Sequence, residues 1–166
     1  MSTSTATSAY TSTHTATYLA DIILGTLTEA IGQLGLNPSK ITRDWATIEA
    51  GIAQWIKEQS LRSVSVEFTL PSGGTMVIDF IVEYSASASQ AAAFSASKAR
   101  ISRFLTKYSA LPSGTTYRLV ADYSGYHTPM PGWGSTHAVK RTGLQANSAG
   151  TLATAPGATA HMSISD

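Results

Sequence analysis

The side chains that could move protons or hold a metal are placed in a way that argues against both roles. His14, His127, His137 and His161 fall in the irregular ends of the chain, without H-E-x-x-H spacing or a nearby acidic partner that would complete a ligand set. Serine is abundant, so some Ser/His/Asp proximity is expected by chance, yet no G-x-S-x-G elbow exists to orient a nucleophile. The "PSGG" turn at 71–74 lacks the lysine and the following helix of a phosphate-binding loop. With no cysteine, thiolate metal sites, disulfides and cysteine nucleophiles are all excluded. The reading is a non-enzyme with no metal and no cofactor.

Binding is the remaining class, and composition narrows it. The 166 residues suit one domain, and 43% hydrophobic content can bury a sizeable core. Eleven Lys or Arg against ten Asp or Glu give no net pull toward nucleic acid or membrane surfaces. Arg100, Arg103 and Lys107, with Lys98 nearby, share a helical face, which reads as a solvated surface rather than a phosphate stripe. No apolar run approaches the roughly 20 residues needed to span a bilayer. The first 17 residues hold 11 Ser or Thr and no charge, unlike a secretory signal or an arginine-rich presequence. A cytoplasmic protein that binds neither membrane nor nucleic acid is expected.

Charge is confined to the middle. Apart from Asp166, every charged side chain lies between Asp21 and Arg141, so the two ends are built from Ser, Thr, Ala and Gly. Within the middle, Leu19, Ile22, Ile23, Leu27, Ala30, Ile31 and Leu34 recur at helical spacing, predicting a helix over about 16–34 with threonine caps and an end at Gly35. A second helix, capped by Thr42, carries Trp45, Ile48, Ile52, Trp55 and Ile56 and ends near Gln59. Both tryptophans are read as packing residues. The period then becomes two: Val64, Val66, Phe68 and Leu70, then Met76, Ile78, Phe80, Val82 and Tyr84, form a hairpin with one buried face. Helical spacing returns in "SASQAAAFSASKARISRFLTKYSAL", with Phe94, Ile101, Phe104, Leu105 and Tyr108, before Pro112. "TTYRLVADY" adds a third strand with Tyr117, Leu119, Ala121 and Tyr123 on one face. The core face is expected to join Val66, Phe68, Ile78, Phe80, Leu119 and Ala121 to Ile101, Phe104 and Leu105 of the long helix.

Past Tyr123 come more than 40 residues rich in Gly, Pro, Ser, Thr and Ala, longer than an ordinary connection in a compact domain. They also hold Tyr126, Trp133, Leu144, Leu152, Met162 and Ile164, too many large apolar groups for a disordered tail. "ATAHMSIS" alternates and predicts a short strand. In "PMPGWG" no helix face can bury the indole, so Trp133 is either an anchor for this segment or a ligand contact; the reading favours the anchor. The fold class is α+β, with three main helices packed on a small antiparallel sheet, and the third strand would leave an edge open to a peptide.

The leader ending in "YTSTHTATYLADII", the tryptophan-bearing second helix, the hairpin, "FSASKARISRF", "LPSGTTYRLV" and "PGWG" resemble, in order and spacing, the bacterial HORMA-domain proteins that accompany cyclic-oligonucleotide signalling enzymes in the antiphage systems called CBASS. The resemblance implies a switch that captures a closure-motif peptide beside its sheet. Residues 124–166 would be the safety belt, residues 16–123 the HORMA core, and residues 1–15 a flexible N-terminal segment that an AAA+ ATPase engages through residues such as Thr5, Thr7, Tyr10 and Thr13 to reopen the closed form. Peptide contact and belt closure would fall to Tyr117, Leu119, Tyr123, Tyr126, Trp133, Leu152, Met162 and Ile164. A cyclic-oligonucleotide synthase (CD-NTase) activated by the closed form is the further implied partner. The alternative is a structural subunit of a phage or secretion assembly that polymerises by strand exchange.

Overall fold

The computed structural model of the chain describes residues 2–85, 94–134 and 137–166, with side chains from residue 11 onward. Helix α1 (Ser2–Gln33) is followed by α2 (Ser39–Arg43), α3 (Trp45–Lys57), β1 (Leu61–Thr69), β2 (Thr75–Tyr84), β3 (Ser95–Ala96), α4 (Lys98–Leu105), β4 (Thr116–Tyr123), β5 (Ala146–Ala155) and β6 (Ala158–Ser165). All described strand pairs are antiparallel, in one six-stranded sheet of order β3-β5-β6-β2-β1-β4.

Helix α1 begins at Ser2, where a flexible segment up to residue 15 and a threonine-capped start near 16 had been expected. The helix is nucleated by the packing of its second half, and extending it back through Ala, Ser and Thr, with no Gly or Pro before Gly25, needs only propagation. Its apolar stripe is also wider than period counting suggests. Leu19, Ala20, Ile22, Ile23, Leu24 and Leu27 are all buried, so the helix is enclosed on nearly every side. It ends as expected at Gly35, whose φ of 83° closes a Schellman pair, Leu36 N–H to the Ile31 carbonyl and Gly35 N–H to that of Gly32. Helix α3 ends in the same motif with Gln59 in the left-handed position at φ 59°, a conformation that costs a side chain more than it costs glycine.

Two helical expectations are corrected. Thr42 caps nothing: it lies inside α2, its hydroxyl donates to the Ser39 carbonyl, and the chain breaks between α2 and α3 at Asp44. The long helix shrinks to α4, because Ser95 and Ala96 pair with Thr154 and Ala153 as β3; its expected first residues, 87–93, lie outside the described residues. Helix α4 packs on α1 and β5 rather than on the hairpin, so α1 and α3 supply most of the helical layer.

The sheet register places the expected core residues on one face. Leu119, Val66, Ile78 and Ile164 form a row across β4, β1, β2 and β6, and Ala121, Val64, Phe80 and Met162 form the next. The C-terminal segment contributes far more than a short strand. Strands β5 and β6 form a hairpin whose inner residues Leu152, Ala160, Met162 and Ile164 are wholly buried. The other face of β1 and β2, expected to be open to water, is covered as well: Ser65, Glu67, Val77 and Asp79 are buried there.

Phe80 lies between Val64 and Met162 in that row with no exposed surface. Phe80→Ala is expected to lower unfolding free energy by about 3–5 kcal/mol through lost transfer and a residual cavity, measured by urea denaturation.

Candidate functional site: the groove beside the edge strand

Strand β4 ends the sheet, and past Tyr123 the chain doubles back along it. Ser124 N–H bonds the Ser60 carbonyl, and Thr128 clasps the end of α3: its N–H and hydroxyl donate to the two Glu58 carboxylate oxygens at 2.8 and 2.7 Å. In return the Trp55 indole N–H donates to the Thr128 carbonyl at 2.7 Å. Burial alone would raise the Glu58 carboxyl, but the bonds from Thr128, Gln54 and Ser60 outweigh it and hold it below its ordinary value. The clasp is therefore complete above the carboxylate's ordinary range and loosens as the pH falls through the lowered value.

The returning loop is anchored by Trp133. Its ring meets Trp55 edge to face at 5.0 Å, in a cluster with Tyr123 (4.9 Å from Trp55) and His127, which stacks flat on Tyr123 at 3.5 Å. Two glycines permit this approach. A Cβ on Gly51 of α3 would lie 2.3 Å from the Trp133 indole nitrogen, and one on Gly132 would lie 2.5 Å from the Thr47 methyl. Between the loop, α2, α3 and the β4 edge runs an open groove of about 1150 Å³. Lys40 stands at the Tyr117 end, where its ammonium sits 5.5 Å from the Tyr117 ring centroid and the Tyr117 hydroxyl donates to the Asn37 carbonyl at 2.7 Å. Burial raises the hydroxyl pKa of both Tyr117 and Tyr123, so the two remain neutral donors.

From the groove the chain crosses to the outer face of the sheet, as a strap held by two carboxylates. Glu67 on β1 pairs with Arg118 of β4 at 2.7 Å, and its other oxygen accepts the Val139 N–H at 2.8 Å. Arg118 also donates to the His137 carbonyl at 2.6 Å. One strand further, the Asp79 carboxylate on β2 accepts from the two terminal guanidinium nitrogens of Arg141 and from the Ser65 hydroxyl. The hydrogen bonds to Asp79 raise the Arg141 pKa further, so its guanidinium stays charged at any physiological pH. Beyond it, Gln145 and Asp166 exchange backbone bonds where the β5–β6 hairpin begins.

Tyr117, Leu119, Tyr123 and Trp133 line the groove together. Tyr126 does not; it is 84% exposed, past the end of β4. Leu152, Met162 and Ile164 lie in the core beneath the hairpin, at a distance from the groove lining. Thr5, Thr7 and Tyr10 fall in the first turns of α1, where only the backbone is described, and Thr13 is exposed on the same helix. Sequence reasoning missed Lys40, Thr47, Gly51, His127 and Met130 around the groove, and treated Trp55 as packing alone. Reading the hairpin as having one buried face also gave no role to Glu67 and Asp79, which the structure buries on the other face. A glycine inside the apolar pattern of α3 was the one available signal, since an interior helical glycine usually marks a close neighbour. The cationic face of α4 is partly occupied: the Arg100 guanidinium donates to the Thr151 carbonyl on β5.

The description Bacterial HORMA domain 2 matches residues 4–165, and the chain belongs to that family. Among solved structures it is similar to a chain of the mitotic checkpoint complex, at 9% identity and a TM-score of 0.71, covering 90% of this chain and 97% of that one. It is also similar to C. elegans HTP-1 bound to the HIM-3 closure motif (13% identity, TM-score 0.59, 76% of this chain and 70% of that one). HTP-2 bound to the same motif gives 15% identity and a TM-score of 0.57, covering 76% and 69%. No curated protein matches. The architecture is thus a HORMA fold of the α+β class.

Replacing an interior helical glycine by alanine ordinarily stabilises by up to about 1 kcal/mol. Gly51→Ala should reverse that sign, because the new methyl displaces the Trp133 ring; a lowered urea midpoint with altered tryptophan emission is the expected result.

Proposed function

We propose that this protein is a peptide-capture switch, in which a closure-motif peptide lies extended between the β4 edge and the loop at 127–134. One observation carries the reading: β4 is a terminal strand whose edge faces a groove already walled on its far side by the chain's own returning loop. A peptide there can satisfy unpaired backbone groups by β-augmentation while its alternate side chains reach the walls. The neighbours solved with closure motifs support the reading by their likeness in fold.

On this reading residues 124–166 are the safety belt, with its two halves doing different work. The loop closes over the peptide through Trp133, while Leu152, Met162 and Ile164 hold the hairpin against β2 and the helices. The closed form activates a cyclic-oligonucleotide synthase in cytoplasmic antiphage signalling of the CBASS type. An AAA+ ATPase reopens it by drawing on the N-terminal turns at Thr5, Thr7, Tyr10 and Thr13. The enclosed course of α1 supports that step. The Thr15 hydroxyl donates to the Pro156 carbonyl in the β5–β6 turn at 2.7 Å, so extracting α1 removes both a bond to the belt hairpin and the apolar floor beneath it.

The test uses the full chain, because cutting at Tyr123 would strip β6 from β2 and expose the core. Peptides tiled across proteins encoded beside this one are screened by fluorescence anisotropy. One should bind, and Trp133→Ala should raise its dissociation rate about ten-fold with little change in association. Absence of any binding peptide, or an unchanged dissociation rate in Trp133→Ala, sinks the belt mechanism. Separately, deleting residues 2–13 retains Thr15 and should leave the melting temperature near that of the intact chain while abolishing ATP-dependent release. Release at the full rate from the shortened chain would remove the N-terminal turns from the mechanism.

A further inference from the structure

The groove beside β4 differs chemically from end to end. Near Tyr123 it is aromatic and apolar, walled by Trp55, Trp133 and Met130. The carboxylates at that end are engaged: Glu58 holds Thr128, and Asp122 pairs with Arg62 at 3.6 Å. At the Tyr117 end the balance is cationic. Arg118 is committed to the buried Glu67, and elsewhere along the lining Arg43 meets Asp44 at 3.8 Å, but Lys40, at Tyr117, has no carboxylate within ion-pair distance among the described residues. Its ammonium stands over the Tyr117 ring on a flexible stem, in reach of anything lying along the strand.

We infer, on the basis of the peptide-capture reading, that the occupant is an extended peptide carrying a large apolar side chain at the Trp55–Trp133 end and a carboxylate side chain at the Lys40 end. Tyr117 and Tyr123 lie on one face of β4, and at about 3.3 Å per residue their separation is on the order of 20 Å. Side chains on one face of an added strand recur every second residue, so the two anchors are about four or six positions apart in the peptide. Parallel and antiparallel addition would reverse their order, and both orders satisfy the same two ends. The apolar anchor supplies most of the affinity, since it fills an aromatic pocket. The Lys40 contact is exposed and supplies selection among peptides more than strength.

The probe is a phage-displayed library of random dodecapeptides, panned in parallel on the full chain and on Lys40→Glu. Lys40 is exposed, and matching melting curves establish that the variant is folded. Peptides selected on the unaltered chain should share a large apolar residue with Asp or Glu about four or six positions away. Selection on Lys40→Glu should keep the apolar residue and replace the acid by Lys or Arg. In anisotropy with the leading synthetic peptide, exchanging its acid for lysine should weaken binding to the unaltered chain about five-fold or more and strengthen it to Lys40→Glu. Enrichment of the apolar residue without an acid, or an acid preference that Lys40→Glu leaves unchanged, overturns this inference while peptide capture stands. If neither protein enriches any peptide, the capture reading itself falls, and this inference with it.

Discussion

A sheet has two edges, and the fold of this protein turns on which of them its C-terminal hairpin occupies. Strand β6 pairs with β2 over its whole length, from Val77 opposite Ser165 to Tyr84 opposite Ala158, so the hairpin completes the side of the sheet away from β4. That pairing leaves β4 terminal and obliges the 22 or so residues between Tyr123 and Ala146 to travel from one side of the sheet to the other. The groove, the loop wall and the strap all follow from that journey. Had β6 added to β4 instead, the same hydrogen bonds would have filled the site.

The crossing is held by unlike interactions at its two stages, and their difference in kind has mechanical consequences. Beside β4 the loop is held by aromatic contacts and by an exposed clasp at Glu58, which are short-ranged and individually weak. Across the outer face it is held by Glu67 and Asp79, two carboxylates buried beneath the strap. A buried carboxylate that loses its cation or its N–H donor bears the full desolvation cost, so this stage separates as a unit or not at all. The loop over the groove can therefore loosen while the strap remains in place.

Helix α1 ties the opposite end of the chain to the same machinery. Because it is enclosed by α3, α4 and the β5–β6 hairpin, its apolar residues from Leu19 to Ile31 serve several layers at once, and its Thr15 reaches the hairpin turn. The hairpin brings Leu152, Met162 and Ile164 into the core rather than to the groove, so the large apolar groups past Tyr123 divide between the core and, at Trp133, the groove lining.

Much of this was legible in the sequence because it depends on local periodicity. The alternation of β1, β2 and β4, the apolar spacing of α1 and α3, the Gly35 stop and the strand at 158–165 are properties of short stretches, and each survives folding because burial rewards the pattern that encodes it. The groove residues Tyr117, Leu119, Tyr123 and Trp133 could be named for the same reason: they sit on a strand face or in a loop that cannot hide an indole. Tertiary structure alone decided what depends on a partner far along the chain. Glu67 and Asp79 alternate like any solvated strand residues until the strap brings Val139 and Arg141 over them. Ser95 and Ala96 leave a helical pattern because Thr154 and Ala153 offer them a ladder. The Ser and Thr of the first turns are helical because a buried helix behind them has already met the cost of nucleation. Gly51 is glycine because an indole more than 80 residues away needs the space, a requirement that no window on one sequence contains.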